Sequence, residues 1–98
     1  MEVTTFEIAK KWLPNGCKLN VKKETSAQYI SEVEMDGTKT TVNLYKAVVP
    51  GKLEEYIKET LACAMFRIYV DKNEWEKAKF WNKRVENTKI WKKGDLNS

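Results

Sequence analysis

The dipeptide Asp36-Gly37 constrains this chain more than any other feature. Asp-Gly is a preferred two-residue connection of an antiparallel hairpin, because both central residues of that turn need positive φ. The sequence alternates with period 2 on either side of it: Ala27, Tyr29, Ser31, Val33 and Met35 before, and Thr38, Thr40, Val42 and Leu44 after. Such alternation is the pattern of a strand with one buried and one wet face. Seating Asp-Gly in the turn sets the register, with Met35 facing Thr38, Val33 facing Thr40, Ser31 facing Val42 and Tyr29 facing Leu44. The apolar residues of both strands then share one side. An earlier alternation, Cys17, Leu19 and Val21, predicts a first strand over 17–23. A three-residue loop Glu24-Thr25-Ser26 would place Val21 beside Tyr29 and Leu19 beside Ser31. The expectation is a three-stranded antiparallel meander. Its second face bears Lys18, Lys22, Gln28, Ile30, Glu32, Glu34, Lys39, Asn43 and Tyr45, and is mixed in charge.

Helical spacing brackets the sheet. Phe6, Ile8, Ala9, Trp12 and Leu13 form a stripe that predicts a helix over 4–13, stopped by Pro14-Asn15-Gly16. With Thr4 as N-cap, Glu7 completes a capping box and Val3 supplies the staple. After Pro50-Gly51, the recurrence Leu53, Tyr56, Ile57, Thr60, Leu61, Ala64, Met65 and Ile68 predicts a long amphipathic helix over 51–70 that covers the sheet. Cys63, Phe66, Tyr69 and Val70 make its second half apolar almost all round, so the other helices must help to bury it. Asn73 with Glu76 reads as another capping box, opening a helix over 74–91 whose inward stripe is Trp75, Ala78, Trp81, Val85 and Thr88. The fold class is α+β in the order α-β-β-β-α-α, the two-layer solution for one greasy sheet face and one greasy helix stripe. Residues 1–98 form a single domain: a body over 4–70, a C-terminal helix over 71–91 and a polar tail over 92–98.

Composition limits the chemistry. The 98 residues include no His, two Cys and four Gly. No Ser-His-Asp triad, Cys-His dyad, His-based metal site or Gly-rich phosphate cradle can be assembled from them. Glu32 with Glu34 on a strand, and Glu54, Glu55 and Glu59 on a helix, read as solvated faces rather than acid/base pairs, because nothing around them excludes water. Cys17 and Cys63 fall in apolar patterns and read as small hydrophobes, not a redox pair. No enzyme activity, cofactor or metal is expected. No apolar run approaches the roughly 18–20 residues that cross a bilayer, and Met1–Thr5 lacks the basic-then-apolar layout of a signal peptide. The expectation is a soluble cytoplasmic protein without a membrane partner.

The net charge of +4 is unevenly placed. Residues 1–71 are neutral, whereas residues 72–98 hold eight Lys/Arg against four Asp/Glu, the whole surplus, together with three of the four Trp. Lys77, Phe80, Arg84, Asn87 and Trp91 follow one another at +3, +4, +3 and +4 down one side of the expected last helix, and Lys92 and Lys93 extend it. Cations neutralise phosphates while rings stack on bases or fill a partner's pocket. These seven residues are the candidate partner-binding surface. The function expected is a small non-enzymatic binding or regulatory protein contacting nucleic acid or a nucleic-acid-handling complex. The alternative is a stand-alone adaptor or inhibitor that occludes a partner protein, of the kind encoded by phages and mobile elements. If the stripe is a surface, alanine at Phe80, Arg84 and Trp91 leaves stability nearly unchanged. Otherwise Phe80 and Trp91 pack on the first helix or within a homodimer, and the lysines only solvate their flanks.

The order helix, three antiparallel strands, helix over residues 4–70 resembles the double-stranded-RNA-binding domain in topology. That family sets a glycine and a run of lysines at the start of its second helix to reach phosphates. The corresponding stretch here is Pro50-Gly51-Lys52-Leu53-Glu54-Glu55, one lysine followed by two acids. The resemblance therefore implies the order of elements and not duplex RNA binding by that route.

Overall fold

A computed structural model describes residues 5–49 and 51–92. The elements are α1 (Thr5–Trp12), β1 (Cys17–Glu24), β2 (Gln28–Met35), β3 (Thr38–Tyr45), α2 (Leu53–Asp71) and α3 (Trp75–Glu86), followed by a single 3-10 turn, Thr88–Ile90. The order is the expected α-β-β-β-α-α, with one antiparallel sheet in the order β1-β2-β3. Thr4 and Val3, the expected cap and staple of α1, lie outside the described residues, as does Pro50.

The β2–β3 hairpin follows its turn chemistry. Asp36 and Gly37 have φ of 52° and 83°, and the pairs Met35↔Thr38, Val33↔Thr40, Ser31↔Val42 and Tyr29↔Leu44 all form. The β1–β2 register differs from expectation. Leu19 pairs with Val33 and Val21 with Ser31, and a bulge lies between Val21 and Lys23. The cause is Thr25, whose hydroxyl accepts hydrogen bonds from the backbone N–H of Ala27 (3.2 Å) and Gln28 (3.0 Å) and donates to the Gln28 carbonyl (3.2 Å). This side-chain-stabilised turn moves the three-residue connection one position along the chain, to 25–27. The bulge then absorbs one residue of β1 and turns Lys23 onto the outer face beside Ile30, leaving Glu24 beside Tyr29. Lys46 serves both of the latter, 2.7 Å from the Glu24 carboxylate and 4.9 Å from the Tyr29 ring centroid.

On the inner face α2 lies over the sheet, chiefly over β3, with α1 and α3 packed against α2. Val33, Leu44, Ile57, Leu61, Ala64, Met65 and Ile68 are sealed between the layers. Cover thins toward β1, where Leu19 is half-buried and Val21 exposed.

Two helix boundaries depart from the sequence reading. Asn73 caps the end of α2 rather than the start of α3. Its φ is 59°, its N–H donates to the Val70 carbonyl (3.0 Å), and the N–H of Glu74 donates to the Tyr69 carbonyl (2.9 Å). These are the two bonds of a Schellman motif, and Asn is among the few residues that take its left-handed position at low cost. The last helix, expected over 74–91, ends at Glu86. Asn87 is extended, and its side-chain oxygen accepts from the N–H of Lys89 (3.1 Å), which opens the 3-10 turn. An Asn side chain that bonds nearby backbone competes with helix continuation. Past the turn the chain folds inward, and Trp91 is 1% exposed. Its ring meets Trp12 edge-on at 5.4 Å and Trp81 at 5.0 Å.

Candidate functional site

The expected surface stripe does not stay together. Lys77 is exposed, sits 3.1 Å from Glu74 and lies over the Tyr69 ring at 5.6 Å. Phe80 is 39% exposed, with one edge against Trp81 and the Arg84 guanidinium 3.6 Å from its ring centroid. Arg84 also donates to the Phe80 carbonyl at 3.2 Å. These three remain neighbours on one flank of α3. Asn87 uses its side-chain oxygen in the 3-10 turn, and Trp91 belongs to the core. The surface role expected of Trp91 is therefore withdrawn. The break at Asn87 takes the indole off the helix, and burial against two other indoles rewards the turn. Lys92 is exposed, and Lys93 lies outside the described residues.

Trp75 is misplaced in the opposite sense. Expected in the inward stripe, it is 57% exposed. Ala78 and Trp81 hold the packed line of α3, and at about 100° per residue Trp75 falls on its margin, in the first residue of the helix. There it borders a groove of about 380 Å³ between α2 and α3. Phe66 and Val70 of α2, both half-buried, join Trp75 and Ala78 in an apolar floor, and Lys79, Lys83 and Glu86 of α3 rim it. The sequence signal for this groove was the surplus of apolar residues on the second half of α2. It read as a demand for cover, and α3 supplies only part of that cover.

The electrostatics around the α2–α3 connection are structural. Lys72 donates to the Asp36 carboxylate at 2.8 Å and lies 3.4 Å from Glu74, tying the end of α2 to the β2–β3 turn. The hydrogen bond from Lys72 holds Asp36 below its ordinary carboxyl value, and the same bond raises Lys72. A hydrogen bond from Lys77 likewise lowers Glu74. Burial pushes the Cys17 thiol up to about 11 and raises Cys63 as well, which keeps both protonated and unreactive at neutral pH. Among the described residues no three His, Cys, Asp or Glu side chains come together as a metal-holding group, and no helix is long and apolar enough to cross a membrane. The chain matches no family, no curated protein and no solved structure.

Proposed function

We propose that this protein is a non-catalytic cytoplasmic adaptor or inhibitor whose α2–α3 face docks an acidic amphipathic helix of a partner protein. The observation that carries the reading is Trp75: three indoles are packed into the core, while the fourth stands at the lip of an apolar groove. A half-open groove between two helices accepts the apolar stripe of a third helix, and Trp is the side chain that most often anchors such contacts. Lys79 and Lys83 outnumber Glu86 among the charged residues lining the groove, which favours an acidic border on the incoming helix over a basic one.

A nucleic-acid reading draws support from the surplus of basic residues after Asp71. Two features weigh against it. Lys77 and Lys79 lie 3.1 and 3.9 Å from Glu74 and Glu76, which dilutes a phosphate footprint. The two exposed rings, Trp75 and Phe80, stand about 140° apart around α3 and so cannot stack successive bases of one strand.

The test titrates the protein with a synthetic amphipathic Leu/Glu helix, a Leu/Lys helix of the same pattern and a single-stranded DNA oligonucleotide. The Leu/Glu helix is expected to bind, to lose only severalfold in affinity between about 50 and about 200 mM salt, and to fail against Lys79→Glu/Lys83→Glu. Preferential binding of the oligonucleotide, with a loss of orders of magnitude over that range, would replace this reading with the phosphate-binding one.

A further inference from the structure

Where α2 meets the sheet rather than α3, the outer edge of β3 carries a second opening. The sheet ends at β3, so alternate residues of that strand direct both backbone N–H and C=O away from β2. Tyr56 of α2 identifies which ones, because its hydroxyl donates to the Asn43 carbonyl (2.9 Å) and accepts from the Tyr45 N–H (3.1 Å). One side-chain hydroxyl thus takes the place that a single residue of an added strand would fill. By the same alternation, the Thr41 carbonyl and the Asn43 N–H form the next outward pair. Beside them lies a groove of about 300 Å³ between β3 and α2, with Cys63 in its wall, Glu59 toward the Tyr56 end and Arg67 one helical turn beyond Cys63.

We propose that this groove takes a short extended peptide segment of a partner protein, which adds parallel to β3 as a fourth strand with an acidic residue at its N-terminal side and a basic residue at its C-terminal side. Several features select this occupant. Tyr56 touches β3 at Asn43 and Tyr45, and Arg67 lines the groove with Thr41, so α2 and β3 run in opposite directions. One residue of a parallel strand bonds to the C=O of one residue and to the N–H two residues on, which is the pair that Tyr56 bridges. The newcomer therefore runs parallel to β3 and points its N-terminal side toward Arg67 and its C-terminal side toward Glu59. Arg67 is exposed and makes no ion pair among the described residues. Its planar fork suits a carboxylate. A second copy of this chain pairing β3 to β3 about a two-fold axis would be antiparallel and would use the Asn43 carbonyl that Tyr56 already occupies. A short segment needs only the stretch around Thr41 and Asn43. Backbone pairing supplies adhesion without demanding a particular sequence, and the small Cys63 side chain leaves room for an aliphatic side chain beside Val42. The inference is independent of the α2–α3 groove, since the two grooves share no lining residue.

The experiment titrates the isotope-labelled protein with the peptide Glu-Val-Thr-Val-Thr-Lys, its reversed isomer Lys-Thr-Val-Thr-Val-Glu, and a form of the first peptide with both Val nitrogens methylated. The first peptide is expected to shift the Thr41 and Asn43 amide signals and slow their hydrogen exchange, with the Trp75 indole unaffected. The reversed peptide binds about tenfold more weakly, as does the first peptide against Arg67→Glu, while the methylated form does not bind. Arg67 is exposed, so its variant should keep the fold, and an unchanged spectrum away from the groove verifies that. The proposal is overturned if neither peptide moves Thr41 and Asn43 at millimolar concentration. It is equally overturned if methylation leaves binding intact, or if the same amides shift with protein concentration alone, which would signal self-pairing.

Discussion

Trp75 and Trp91 exchange the roles that their positions in the sequence imply, and the exchange sets the character of the molecular surface. Trp91 seals the space between α1 and α3 against Trp12 and Trp81, whereas Trp75 borders open solvent. Replacing Trp91 with Ala removes a buried ring with two edge-on aromatic contacts and should cost about 3–5 kcal/mol in denaturant unfolding. Trp75→Ala should cost less than about 1 kcal/mol, the ordinary range for an exposed position. Equal losses for the two variants would contradict the burial described. The residue-level reading of the sequence failed here for a definite reason. It extended the period of 3.6 through Asn87, and one side-chain hydrogen bond to Lys89 ends that period and moves the last indole from outside to inside. Lys77, Phe80 and Arg84, which precede the break, do share a flank as their spacing implied.

At the scale of elements, what was legible and what was not follows from whether the determinant is local. The β2–β3 register follows from Asp36-Gly37 alone, and α2 from its own periodicity. The β1–β2 register depended on a Thr25 hydroxyl and a bulge, and the α2–α3 connection on one left-handed Asn73, neither of which alters the apolar pattern. Asn73→Ala keeps a Cβ in that left-handed position but loses the short polar side chain that makes it tolerable, and should destabilise the fold by about 1 kcal/mol, with Asn73→Gly neutral or better, as read by thermal unfolding. Equal effects of Ala and Gly would mean that the conformation is not what Asn73 contributes. The Lys72–Asp36 pair, which joins α2 to the hairpin turn, has its own pH signature. Asp36 is held low when folded, so its contribution is full above the ordinary Asp value of about 3.8 and disappears as the pH falls toward the lowered one. Lys72 is held high, so its contribution persists at neutral pH and is lost as alkaline pH passes its raised value. Asp36→Asn should therefore lower the melting temperature at pH 7, and the difference should shrink as acid protonates Asp36. A difference that stays constant from neutral pH down through the acid range would place the effect in turn geometry instead.

For the whole molecule, the surplus of positive charge lies after Asp71, and an apolar groove opens between α2 and α3. The spacing within α3 pointed to the Lys77–Phe80–Arg84 flank, whereas the groove at Trp75 is set jointly by Phe66 and Val70 of α2 and by Trp75 across a helix–helix contact, which no single element's pattern reveals. The four indole N–H signals make the docking claim directly measurable. In a proton–nitrogen correlation spectrum of tryptophan-labelled protein titrated with the Leu/Glu helix, the Trp75 indole should shift progressively while those of Trp12, Trp81 and Trp91 stay in place. A titration in which binding leaves the Trp75 indole unmoved would contradict the assignment of the α2–α3 groove as the docking face.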